Sequence, residues 1–322
     1  MDGNRQKTLM QHFGDQPFLT DGGLETHMVF LDGLDLPQFA AFPLLRQPQG
    51  RQALQRYFAG FMAKAAALGT GFVLDTPTWR ASAGWGVRMG WEADDIDAIN
   101  REAVAFAREI SAGAKGPMQG PVLVNGVIGP HGDAYRPDAV LTPEEAEDYH
   151  RRQVGVLAAA GVDLVTAVTI SSTGEAIGIA RAARAVDVPV VLSFTVETDG
   201  NLVGGMALAE AIRLTDAATD GYPLWYGINC AHPDHFDAVL AGPAAKRVGM
   251  IRANASRLSH AELDEATVLD DGDPDELGRD YLRLSAKLPG LRVVGGCCGT
   301  DLRHVAAIGD RLCSHGHGHA AQ

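Results

Sequence analysis

The sequence predicts a single (β/α)8 barrel. Eight short apolar runs, rich in β-branched residues, recur along the chain, and longer segments with helical apolar spacing separate them. No GxGxxG follows the first run, which leaves the open dinucleotide-binding sheet without support. The runs fall at residues 17–21, 71–75, 121–125, 163–168, 189–194, 224–229, 247–252 and 291–295, bounded by Gly, Pro or Asn. Continuous rather than alternating apolar character marks strands buried on both faces of a parallel sheet. Among the intervening stretches, residues 52–68, 94–112, 142–160 and 174–185 carry the clearest helical period. Thr142 before Pro143 and Glu144 marks one helix start, and Asp301 opens the segment after the last run.

The chain's 322 residues suit such a barrel, which needs roughly 250. Nothing reads as a linker, so residues 1–313 are expected to form one barrel domain. The segment 314–322, SHGHGHAAQ, is expected to be a flexible tail whose three histidines bind metal weakly at most. The acidic stretch 260–275 reads as a solvated loop with helical parts. A net charge of −13 without a Lys/Arg-rich run argues against nucleic acid as a partner. The first residues lack the apolar core of a signal peptide, and no window has the length and apolarity of a membrane span. Four cysteines, two of them adjacent, make a poor disulfide framework and point to a reducing cytoplasm. Oligomeric state leaves no signature.

Active-site groups of a barrel stand at the C-terminal ends of its strands. Three of the four cysteines, Cys230, Cys297 and Cys298, fall there, on strands six and eight. Thiolates are soft ligands that suit zinc, and three of them leave a tetrahedral ion one open position, as in catalytic sites. A lone cysteine at a strand end is ordinarily a small buried hydrophobe, and Cys313 is read that way. The run Gly295-Gly296-Cys297-Cys298-Gly299 is a poor filler for a core.

The segments TDGGLET (20–26), NGVIGPHGD (125–133), GINC (227–230) and GGCCGT (295–300) resemble the homocysteine S-methyltransferase family, in the same order and over nearly the whole chain. The resemblance implies a zinc-dependent enzyme that moves a methyl group from a sulfonium, ammonium or folate donor to a thiol such as homocysteine. It gives Cys230, Cys297 and Cys298 the zinc-ligand roles and Asp21 the role of anchoring the acceptor's amino group. Gly22, Gly23, Thr76, Trp79, Asn125 and Glu197 complete the expected substrate site. Thr76 to Trp79 stand where the family usually reads Thr-Asn-Thr-Tyr. Trp79 is expected either as a wall against a cationic donor or as a packed rim aromatic. His232 and His235, close after Cys230, are read as helix-starting or exposed in preference to supporting a metal.

One departure bears on the acceptor. Strand four of the family usually ends in Glu-Thr, and Val168 occupies the place of that glutamate. Asp75 or Glu197 is then expected to substitute, or the acceptor is a thiol other than homocysteine. Two further readings compete with the enzyme: a vicinal-dithiol redox protein and a catalytically silent zinc-binding barrel.

Overall fold

The computed structural model describes residues 4–113, 120–135 and 140–313. The tail 314–322 lies outside the described residues. Eight strands close a parallel barrel in sequence order: β1 (Phe18–Leu19), β2 (Phe72–Asp75), β3 (Val122–Ile128), β4 (Leu164–Ile170), β5 (Val190–Phe194), β6 (Tyr226–Asn229), β7 (Val248–Ala253) and β8 (Val293–Gly296). Every pairing is parallel, β1 with β8 included. All eight sequence runs are strands.

The boundaries differ in instructive ways. β1 is shorter than 17–21: on the β2 side the Val73 carbonyl accepts from the Thr20 hydroxyl at 2.8 Å, while backbone bonds toward β8 continue to Asp21. β3 runs past Asn125-Gly126, a pair that looks like a turn in sequence. Gly126 sits under the helix Pro143–Ala160, where a Cβ would lie 3.1 Å from the Leu157 side chain. β4 continues to Ile170 through a register shift between Ala167 and Ile170, with Thr169 at a φ of 63°.

The helices start and stop where local chemistry directs. Thr142 closes a capping box with Glu145, satisfying two amides at the helix entrance, and Gly161 ends that helix in the left-handed region. Pro48–Leu68 presents Leu54, Phe58, Phe61, Met62 and Ala65 to the sheet at helical spacing. Asp301 accepts from the Arg303 amide at 2.8 Å, next to the start of Leu302–Cys313.

Two apolar layers result. The larger lies between strands and helices. The smaller fills the barrel's lower interior with residues from around the ring, among them Phe18, Val73, Leu123, Leu164, Met250 and Val293. Leu9 and Phe13, on and just after the helix Asn4–Met10, pack against this layer, with the Phe13 ring 4.6 Å from Phe18 and 5.1 Å from Trp225. The N-terminal end of the barrel is thus filled with side chains, and the cavity opens at the C-terminal ends of the strands. Within the described residues no helix is long and apolar enough to cross a membrane.

Candidate metal centre and pocket

The cysteines are placed by the β6–β7–β8 ladder. The Cys230 amide donates to the Arg252 carbonyl at 3.1 Å, and the Cys297 amide donates to the Ala253 carbonyl at 2.8 Å. Cys230 itself is left-handed, with a φ of 59°, a conformation that costs a non-glycine residue about 1–3 kcal/mol and recurs at functional sites. Gly299, at a φ of 77°, lets the chain turn away after Cys298. Gly23 packs so closely beneath Cys297 that a Cβ there would lie 2.5 Å from the Cys297 carbonyl oxygen.

These constraints gather the three sulfurs within 4.8 Å of one another, with 3.5 Å between Cys230 and Cys298. The Asn229 amide points at the Cys297 sulfur at 3.9 Å while its oxygen accepts from the Thr169 amide at 2.9 Å. Hydrogen bonding within the trio concentrates its acidity on Cys297. Thiol donors Cys230 and Cys298, with help from Arg252, hold Cys297 well below the usual thiol range. Cys230 is pushed up by hydrogen bonding to Cys297, and Cys298 by hydrogen bonding to its two partners. Ionising all three calls for a divalent cation among them.

A cavity of about 500 Å³ opens above the sulfurs. At its base Arg252, on β7, forms ion pairs with both Asp21 and Asp75. It also donates from Nε to the Gly296 carbonyl at 3.1 Å and from Nη2 to the Gly22 carbonyl at 3.2 Å. The other Asp75 oxygen accepts from Asn125 at 2.7 Å, and Thr166 donates to Asn125 at 2.9 Å. Burial, only partly offset by Arg252, pushes the Asp21 carboxyl up to about 7. Tyr135, on the loop after β3, closes one side with its ring 4.1 Å from that of His260. Burial and the neighbouring cysteines raise its phenol well above the usual range.

A sequence model of the homocysteine S-methyltransferase family matches residues 18–312. The chain belongs to that family. Among curated relatives, homocysteine S-methyltransferase 3 of Zea mays is 25% identical over 93% of this chain and 91% of its own length. The match to homocysteine S-methyltransferase 3 of Arabidopsis thaliana, 26% identical, spans 58% of this chain and 56% of that protein. The metallated form of the homocysteine methyltransferase MmuM from Escherichia coli superposes with a TM-score of 0.72 at 24% identity, covering 96% of this chain and 100% of that one. The barrel is therefore that of a methyltransferase of the homocysteine S-methyltransferase family.

The residues expected from sequence fall into three groups. Asp21, Gly22, Gly23, Thr76, Trp79 and the three cysteines line the cavity. Asn125 stands behind the wall, holding Asp75. Glu197 lies further out, 3.6 Å from His260, whose other ring nitrogen reaches the Cys230 carbonyl at 2.5 Å. Glu197 thus faces the turn that carries a cysteine rather than the cavity. The Thr76 hydroxyl is engaged by Thr78 at 2.7 Å and by the Val127 amide at 3.0 Å, which fixes β2 against β3. One face of Trp79 is covered by the Arg80 guanidinium, 4.5 Å from the ring centre. Val168 does face the cavity, as its place at the end of β4 requires.

His232 caps the short helix Pro233–Phe236, and burial lowers its pKa to about 4. His235 contacts the Arg257 carbonyl at 2.9 Å. His232 groups with Asp234 and Asp280 within 4.8 Å, but Arg257 pairs with Asp234 at 2.8 Å and Arg283 with Asp280 at 2.6 Å, which makes this an ion-pair cluster. Cys313 is buried on the last helix.

Sequence reasoning missed Arg252, Glu25, Tyr135 and the roof. Residues 260–275 include the helix His260–Glu265, as expected, but they are not simply solvated: Leu263, Ala266 and Leu269 line the cavity. An arginine inside an otherwise apolar buried strand was the available signal for Arg252.

Proposed function

We propose that this chain is a zinc-dependent thiol methyltransferase, with Cys230, Cys297 and Cys298 as zinc ligands and an activated onium compound as methyl donor. The observation that carries the reading is the convergence of three free cysteine sulfurs on a cavity at the barrel mouth. The donor set fits zinc: all sulfur, three ligands, and a strained cysteine backbone fixed by the ladder. Zinc held there would supply the acidity that keeps a substrate thiol deprotonated at neutral pH.

The chain's own residues do the rest. Gly22 and Gly23 bring the first loop close against Thr300 and Cys297 respectively, and Asn229 steadies the Cys297 sulfur. Tyr135, His260 and the roof residues narrow access and exclude water. Asp21, Thr76 and Trp79 border the space for substrate. Six acids and two arginines line the cavity, a balance that attracts a cationic donor. The acceptor sulfur takes the methyl group as its bond to the donor's onium centre breaks, and the donor leaves neutral. Holding both reactants in line supplies much of the acceleration. With homocysteine as acceptor the product is methionine.

The test is a matrix of thiols against S-methylmethionine, S-adenosylmethionine and betaine, with mass-spectrometric detection of the methylated thiol. Zinc-dependent product from at least one pair supports the reading. No product from any pair by zinc-loaded protein would favour a silent barrel.

A further inference from the structure

The acids at the strand ends are already committed. Asp21 and Asp75 both pair with Arg252, whose guanidinium is also tied to two carbonyls and is not free to withdraw. Glu197 stands outside the cavity beside His260, and β4 offers Val168 and Thr169 but no acid. Glu25, four residues beyond Asp21 in the short helix Leu24–Thr26, is different. It is half-buried, lines the same cavity, and accepts no hydrogen bond from another residue's side chain among the described residues. Its electrostatic neighbours are Cys297 and Asp21, which repel its charge, and Arg252, which offsets them only in part. Arg80 also senses Glu25, though it lies over the Trp79 and Trp85 rings and donates to the Gln38 carbonyl. Burial pushes the Glu25 carboxyl up to about 7.

A half-buried carboxylate on the cavity wall, bonded by no other side chain, is a place for a substrate cation to bind. We propose that Glu25 receives the cationic group of a substrate, either the α-ammonium of an amino-thiol acceptor or the onium centre of the methyl donor, in place of the Arg252-bound Asp21. This rests on the proposed thiol methylation for the identity of the ligands. Glu25 combines a place in the cavity with a carboxylate that no described side chain bonds, and a charge-assisted bond to an ammonium is the contact it lacks.

The experiment is isothermal titration of zinc-loaded wild type, Glu25→Gln and Glu25→Asp. The ligands are homocysteine, its des-amino counterpart 4-mercaptobutanoate, and S-methylmethionine. Glu25→Gln should weaken homocysteine or S-methylmethionine roughly ten- to a hundredfold, the range for losing one charged hydrogen bond. It should leave 4-mercaptobutanoate no weaker than in wild type, and Glu25→Asp should keep more cation affinity than Glu25→Gln. A loss confined to homocysteine assigns the acceptor's ammonium, and a loss with S-methylmethionine assigns the donor. Unchanged affinity for both cations, equal losses for the des-amino thiol, or no cation binding by wild type would overturn the inference. Methylation that proceeds without Glu25-dependent binding sinks this inference alone. Glu25-dependent binding without any zinc-dependent methylation sinks the functional reading alone.

Discussion

Arg252 reaches from β7 across the barrel mouth to Asp21, at the end of β1, and the same guanidinium holds Asp75. Burial opposes the arginine's charge, yet the two carboxylates keep its pKa well above the ordinary value. Removing one member of a buried, paired cluster leaves charges without partners, at a cost of about 3–5 kcal/mol. Arg252→Met should therefore lower unfolding free energy by that order in urea titration. Adding Asp21→Asn and Asp75→Asn should recover part of it. A single variant within 1 kcal/mol of wild type, judged on the usual scale of surface changes, would mean that the cluster contributes little.

Ionised Glu25 should cost stability. Burial pushes its carboxyl up to about 7 in the folded chain from an ordinary 4.5, so the unfolded chain loses the proton first as pH rises. Stability from this group is complete below about 4.5 and is lost as pH climbs through about 7. Glu25→Gln should match wild type in melting temperature near pH 4.5 and exceed it at pH 8. The facing groups Asp21, Cys297, Arg252 and Arg80 are common to both proteins, so the difference isolates Glu25. An advantage at acid pH instead would contradict the assignment.

The barrel was legible because its signal is repeated: eight apolar runs can each shift by two residues without changing the topology. The sulfur cluster was legible because Cys230, Cys297 and Cys298 are chemically rare and sit at strand ends whose order fixes their direction. The charge network was not legible. Asp21 looks open beside Gly22 and Gly23, and only the closure of β7 next to β8, and of β8 next to β1, brings Arg252 onto it. Glu25 hides for the converse reason, since a glutamate in a short polar segment reads as solvated until the cavity is drawn around it. The roof was missed because Leu263 and Leu269 are scattered among acids in a turn-rich stretch.

Val168 faces the cavity without a polar atom to offer. Val168→Glu should introduce an acid on the opposite wall and tighten homocysteine about tenfold or more, the value of one charged hydrogen bond. Binding of 4-mercaptobutanoate should not improve. A variant that folds but gains nothing for homocysteine would place the ammonium elsewhere.

Gly23 carries the first loop under Cys297. Gly23→Ala would set a methyl against the Cys297 carbonyl, and backbone there can yield only by moving the cysteine turn. Zinc affinity, measured by competition with a chromophoric chelator, should fall on the order of ten- to a hundredfold, as for changes just outside a metal's ligands. Gly14→Ala, which meets nothing within 4 Å, serves as the control and should bind zinc as wild type does.

The most direct measurement is zinc content, by atomic emission, of protein purified without a histidine tag and truncated after Cys313. The account predicts one zinc per chain in the wild type, and a marked loss in Cys298→Ser and in the triple serine variant at unchanged helical content. Equal zinc in the wild type and the triple serine variant, or none in the wild type after growth in zinc, would contradict it.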